Sequence, residues 1–408
     1  MVALPWFVLE TTGSAGRTGL IGMMAALPAL ASGVLGGVLV DRIGGRRMSV
    51  IADIISGVAV LLIPLLYQTI GLNFAGLMLL VFAGAALDIP GVTARRLILP
   101  ELAQNANLRD EAITSAYETM QGASWIIGPA LAGVLIAWIG TVNLLWLTAA
   151  GFGISAICIG LFSPAGKHVP DPEGPHAAIG AIAEMQAGFR YLRTDSLLLS
   201  LAVGLTLMNF LNGPYWSVVL PVQIESRFGI ASRFGLILTV LGIGNLIGGL
   251  LYGAFGHQFR ARRREIYLIG VASFPVMLWV FVTQVPYPAM VVSAFLAGVF
   301  SGPINPLLVT VRLERIPKEL RGRVFATFSG LAGAATPLGM VIAGWLLEMN
   351  GVRSGLTILA SVATVFTIGL WLTKPLREMN HVTVETVNAR PGRAPLAHPD
   401  RRMDSESS

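Results

Sequence analysis

Long apolar runs of about 20 residues alternate with short links that hold most of the charge. A helix needs a run of this length to cross a ~30 Å hydrocarbon layer. The pattern predicts spans over 19–40, 49–70, 73–94, 114–138, 142–163, 197–222, 234–256, 266–283, 287–310, 325–347 and 355–373. None shows the period-two alternation of a barrel strand, so helices are the spanning element. Residues 1–12 read as a further apolar helix, too short to cross at ~1.5 Å per residue. Either its start lies upstream or the chain begins inside its first span.

Composition agrees with the pattern. Of 408 residues, 54% are hydrophobic and 12% are charged, too little polar surface for a soluble chain of this size. The single cysteine, Cys158, lies in an apolar run, reads as a small hydrophobe and has no partner for an internal disulfide. No Cys/His cluster has metal spacing, so neither metal nor cofactor is expected. A phosphate-binding G-x-x-x-x-G-K-[ST] loop and a nucleophile elbow are both missing from the sequence, which argues against an ATP-driven pump and against an enzyme. The N-terminus lacks the basic segment of a cleavable signal.

The net charge of +6 reflects topology rather than nucleic-acid binding. Threading the spans puts 24 of the 28 Lys and Arg residues on the side of the 40–48 link and four on the other. That bias predicts a multi-pass plasma (inner) membrane protein with the basic links in the cytoplasm.

The longest link, 164–196, divides the chain into residues 1–163 and 197–374. It opens Pro/Gly-rich and continues with a helical stripe of Ile179, Ile182, Met185, Ala187, Phe189 and Leu192. The stripe suggests an amphipathic helix on the cytoplasmic membrane surface. Residues 375–408 are rich in Pro, Arg and Ser and read as a disordered tail. The halves resemble each other. "AGAALDIPGVTARRLILPEL" and "AGVFSGPINPLLVTVRLERIP" each end a span, carry a proline inside it and enter a basic link. "GGVLVDRIGGRR" has a worn copy in "YGAFGHQFRARRR", with His257 in place of Asp41. Two related halves are a transporter signature.

The link "GVLVDRIGGRR" makes the shortest practical turn between two spans. Gly36 and Gly37 allow close helix approach, Gly44 and Gly45 permit positive φ, and Arg42, Arg46 and Arg47 anchor the turn. Asp41 works against the basic bias, so it is expected to cap a helix or to pair with an arginine across a helix interface. On residue chemistry alone, a well-anchored turn explains the link equally well. The stretch resembles the loop signature of the major facilitator superfamily, with Gly37, Asp41, Arg42, Gly44, Arg46 and Arg47 at the matching places. "LPWFVLETTGSAG", "GPALAGVL" and "INPLLVTVRLERIPKELRGRVFA" resemble the branch that exports drugs, macrolides and siderophores. The resemblance implies an all-α membrane protein with the major facilitator fold: two six-helix bundles, the first helix truncated. It also implies a conformational-switch role for the loop residues, Asp41 and Arg42 above all, and function as a monomer. "GASWIIGPALAG" resembles the family's antiporter motif through Gly122, Gly128, Pro129 and Gly133; ordinary small-residue packing accounts for the same pattern.

An acid within a span costs at least ~2.5 kcal/mol on insertion scales and needs a reason. Asp88 and Glu118 are the proton-coupling candidates; for Asp88 an ion pair with Arg95 or another cytoplasmic arginine is the structural alternative, and for Glu118 a structural pair. Asp53 suits a partner of the loop arginines, and Glu10 a solvated outer position. Trp125, Asn209, Asn212, Tyr215, Trp216 and Asn305 are the substrate-cavity candidates, each equally explicable by helix packing. The expected function is export of a hydrophobic or amphipathic small molecule by proton antiport and alternating access. Proton-coupled uptake is one alternative; a non-transporting membrane sensor or scaffold is the other.

Overall fold

A computed structural model of the chain describes the backbone of residues 2–163 and 186–381, and there every side chain except those of 31–38, 41 and 381. Helices account for the described chain. The first group comprises α1 (Ala3–Thr12), α2 (Ala15–Ile43), α3 (Gly45–Thr69), α4 (Phe74–Ala85), α5 (Asp88–Asn105), α6 (Asp110–Ile139) and α7 (Thr141–Phe162). A short helix, α8, covers 186–194. The second group comprises α9 (Ser196–Pro214), α10 (Leu220–Phe228), α11 (Ala231–Phe255), α12 (Arg263–Val282), α13 (Tyr287–Ser301), α14 (Ile304–Arg315), α15 (Arg321–Asn350) and α16 (Val352–Leu372). Nine helical stretches among the described residues are long and apolar enough to cross a membrane. One of them, Ala231–Val282, joins α11 and α12 through a 3-10 turn at Gly256–Arg262.

Local sequence explains several boundaries. Ser14 caps α2 by accepting from the Arg17 N–H, and Asp195 caps α9 by accepting from the N–H groups of Leu197 and Leu198. Gly44 joins α2 to α3 as a one-residue turn at φ 87°, a conformation that glycine adopts without strain. Two expected spans are broken near mid-depth: α4 gives way to α5 at Ala86–Leu87, and α13 to α14 at Gly302–Pro303. The span over 197–222 continues to Phe228 through a π-turn at Tyr215–Val219.

Two seams join the groups. Where α2 crosses α15, a Cβ on Gly344 would stand 2.7 Å from the Ala15 carbonyl oxygen. Where α6 crosses α11, a Cβ on Gly133 would stand 2.9 Å from the Ala231 carbonyl oxygen, and one on Gly235 would collide with the Pro129 carbonyl. Only glycine permits such backbone approach. Both tight crossings lie away from the basic links. Toward the basic links the α6 seam opens: no residue from Asp110 to Gly128 is buried. Short α1 strengthens the closed end, with Trp6 stacked on Phe234 of α11 at 6.3 Å.

One expectation for the basic side is corrected. Residues 375–381 are not disordered, because Lys374–His381 forms a 3-10 segment with Leu376 and Met379 fully buried. Glu378 pairs there with Arg315, which also holds Asp195 at 2.8 Å, and Asn380 accepts from the Arg264 N–H. Of the described residues of the amphipathic stripe, Leu192 turns to the protein, Ala187 is half-buried and Phe189 is exposed. Leu192 is fully buried in the second group's core, and Gly188 sits against Thr327 and Arg323 of α15. Ile179, Ile182 and Met185 lie outside the described residues.

Candidate functional site

The first group holds an acid cluster in its interior. Asp53 on α3 is 1% exposed, and its carboxylate takes Arg95 Nη1 of α5 at 3.0 Å and the Ser155 hydroxyl of α7 at 2.6 Å. Ser56, one turn along α3, donates to the Gly84 carbonyl at 2.7 Å and lies 3.4 Å from Asp88 Oδ1. Asp88 opens α5 at the helix break and is exposed, with no ion pair among the described residues. The expected Asp88–Arg95 pair therefore does not form; Asp53 takes the guanidinium instead. Asp53 is the buried acid of the two and has more to lose from being left without a counter-charge.

That reasoning sets a stability prediction. Arg95→Ala is expected to destabilise the protein by about 3 kcal/mol, because it strands a buried carboxylate. Adding Asp53→Asn is expected to recover most of the loss. Thermal unfolding of the purified single and double variants in detergent checks both outcomes.

Glu118 is on the solvent side of this picture. It meets Arg96 at 3.1 Å with both side chains more than half exposed, a pair worth little. Glu10 is not simply solvated: it accepts from the Trp6 indole at 2.8 Å and from the Thr141 hydroxyl at 2.5 Å. In the loop motif, the surroundings of Gly37 and the side chain of Asp41 lie outside what is described. Arg42 and Arg47 are exposed, and Arg46 donates to the Gly160 carbonyl at the end of α7. In the antiporter-like motif, Gly122 and Gly128 have open space around them, whereas Pro129 and Gly133 form the α6–α11 crossing.

A cavity of about 230 Å³ lies inside the second group, between α9, α11, α12, α13 and α14. Four of the six cavity candidates line it: Asn209, Asn212, Trp216 and Asn305. Trp125 does not line it; it projects from the open half of α6, 59% exposed. Tyr215 is fully buried behind the cavity, edge-on to Trp216 and Phe274 at 4.7 and 5.5 Å. The π-turn places neighbouring residues 215 and 216 in these two layers. Asn245, Ser273 and Ser301 also line the cavity and were not singled out by sequence. Asn245 had a signal: it is the lone amide in the apolar run "GIGNLIGG".

At the closed end the two groups also share a polar latch. Glu348, near the end of α15, accepts from the Gly16 N–H at 3.0 Å and from the Ser14 hydroxyl at 3.1 Å. Its carboxylate thus sits at the N-terminus of α2, where the helix dipole favours negative charge.

Comparison with known proteins agrees with this architecture. The family model described as Major Facilitator Superfamily matches residues 1–231 and 205–398. The chain is 33% identical to "Multidrug efflux pump Tap" of Mycolicibacterium fortuitum, over 87% of this chain and 86% of the relative. It is 25% identical to "Macrolide efflux protein A" of Streptococcus pyogenes, over 86% of each. Among solved structures, the nucleoside transporter NupG superposes with a TM-score of 0.69 at 16% identity, over 91% of this chain and 94% of the other. The internal halves, the paired bundles and the full-length matches lead to one assignment: this chain belongs to the Major Facilitator Superfamily.

Proposed function

We propose that the protein exports hydrophobic or amphipathic small molecules, of the drug and macrolide kind, by proton antiport and alternating access. The observation that carries this reading is the 33% identity to a multidrug efflux pump, sustained over 87% of the chain. The geometry supports it in three ways. The bundles touch at one end and part at the other, as one facing state of a rocking transporter would. A cavity with Trp216, Phe274 and four asparagine amides in its lining lies within the second bundle. Asp88, which has no ion pair among the described residues, stands at a helix break in the first bundle.

In this reading the basic links face the cytoplasm of a plasma membrane, and the arrangement described here is inward-open. A proton arriving from outside neutralises Asp88 and favours the inward-facing state; its release to the cytoplasm returns the carrier. Each ligand shifts the balance only by its differential affinity for the two states. The loop residues Gly37, Asp41, Arg42, Gly44, Arg46 and Arg47 act as the switch between states, and one chain forms a complete transport unit.

Accumulation assays with and without a proton gradient test the function: loss of drug exclusion on collapsing the gradient supports it. Orientation is tested separately. In a Cys158→Ser background, Arg47→Cys is expected to react with an impermeant maleimide only from the cytoplasmic face. Ile70→Cys, at a site that is 80% exposed, is expected to react only from outside. The reverse pattern would overturn the orientation.

A further inference from the structure

The acid cluster and the amide-lined cavity are versions of one site. The same interval along the chain separates Asp53 from Gly270, Ser56 from Ser273, Asp88 from Asn305 and Arg95 from Arg312. The structure respects this correspondence. Ser56 donates to the Gly84 carbonyl of α4; Ser273 donates to the Gly270 carbonyl of its own helix at 2.7 Å and also faces α13, with the Ala297 carbonyl at 3.3 Å, one turn from the position equivalent to Gly84. Asp88 begins α5 after one helix break; Asn305 is the second residue of α14 after the other. In the second copy both acids are gone: Gly270 stands for Asp53 and Asn305 for Asp88, and both line the cavity. Arg312, freed of a carboxylate partner by that change, lies over the Phe325 and Phe328 rings at 4.7 and 5.1 Å.

What remains is a pocket without a charged or titratable lining residue. Its chemistry is that of four amides against an aromatic wall. Asn209 spends its NH2 on the Leu205 carbonyl and leaves its oxygen available. Asn212 accepts from the Trp216 indole at 3.0 Å, which fixes the ring and leaves its NH2 available. Neither Asn245 nor Asn305 has a hydrogen bond among the described residues. Both are exposed where they line the cavity, so their amide groups are open to hydrogen bonds from a ligand there. Trp216 and Phe274, with centroids 6.4 Å apart, supply a face for a ring.

We infer that the two repeats have divided the work: the first keeps the acids and handles the proton, and the second binds the ligand by hydrogen bonds and ring contacts alone. The ligand class is therefore an uncharged amphipathic molecule with a planar ring and adjacent hydroxyl or amide groups. An organic cation has no counter-ion in this pocket and is the disfavoured class. Ligand and proton do not compete for one carboxylate; they are coupled only through the motion of the bundles. This inference rests on the transporter reading above.

The test is equilibrium binding to the full chain in lipid nanodiscs, with chloramphenicol as the neutral probe and tetraphenylphosphonium as the cation. Chloramphenicol is expected to bind at least about tenfold more tightly than the cation at both pH 5.5 and pH 8.5, because a shift in facing state acts on both probes alike. Asn245→Leu and Asn305→Leu are each expected to weaken chloramphenicol about tenfold, whereas Gly369→Val, with nothing near the new Cβ, leaves it unchanged. Asn245→Asp, which preserves shape, is expected to reverse the preference toward the cation and keeps the inference testable if the leucine variants fold poorly. Failure of chloramphenicol to bind, tighter cation binding by the unmodified protein, or undiminished chloramphenicol binding by folded leucine variants would overturn it. Reconstituted transport separates the two levels. Proton-driven movement of the cation but not of the neutral probe sinks only the ligand class. Amide-dependent binding without proton-driven movement of either sinks the transporter reading.

Discussion

Replacing Asp88 by asparagine is expected to abolish proton-driven drug accumulation while leaving the protein folded in the membrane. Among the described residues the side chain's one hydrogen-bond partner is Ser56 at 3.4 Å, so the substitution is expected to cost less than about 1 kcal/mol of stability. Asparagine mimics the neutral acid and cannot release a proton. The carrier is then expected to keep equilibrative exchange, in which external drug trades with drug inside, and to lose transport against a gradient. Proteoliposomes loaded with unlabelled drug measure the exchange, and an imposed pH step measures the driven component. Asp53→Asn is the informative neighbour. Its carboxylate is locked between Arg95 and Ser155, so its loss is expected to appear first in thermal stability. Unchanged driven transport in Asp88→Asn would remove this residue from the mechanism.

The second large effect is expected at the closed end. A valine at Gly235 would drive its Cβ into the Pro129 carbonyl, with the Gly133 Cα also within 3.3 Å. Neither neighbour is a flexible side chain that can step aside. Overpacking of this kind costs about 1–3 kcal/mol, and here the cost falls only on the state in which α6 and α11 touch. The equilibrium between facing states is thus expected to move about 5- to 150-fold toward the state open at that end. Spin labels at Ile70 and Thr283, on the outer links of the two bundles, would report a longer mean distance by double electron–electron resonance. Gly369→Val, with nothing near the new Cβ, is the control and is expected to leave the distance distribution as it was.

These two effects draw on parts of the molecule that differ in how much the sequence reveals. The spans were legible because burial in lipid demands an unbroken apolar run, and such runs are conspicuous. The relation between halves was legible too, through "AGAALDIPGVT" and "AGVFSGPINPLLVT". The helix breaks inside those stretches were not, since a proline in a span is compatible with a kinked but continuous helix. Asp88 stands out as a charge in hydrocarbon, yet which acid takes Arg95 is not legible in the sequence. Arg95 lies seven residues from Asp88 and 42 from Asp53, and only the packing of α3 on α5 shows which it reaches. Asn209, Asn212 and Trp216 could be grouped by their spacing on one helix. Asn245 and Ser273 come from other helices and join them only through the crossings near Gly244 and Gly270, where backbones meet. Trp125 illustrates the opposite case: an aromatic in a cavity-prone span proved to project from the open half of α6.

The central claim is that drug moves out of the cell as protons move in, through a carrier whose open face lies on the basic side. Inverted membrane vesicles measure this directly. With the lumen made acidic, the protein is predicted to take drug up into the vesicle, and nigericin is predicted to stop it at once. Drug uptake that ignores the pH step, or uptake driven by an alkaline lumen instead, would contradict the account.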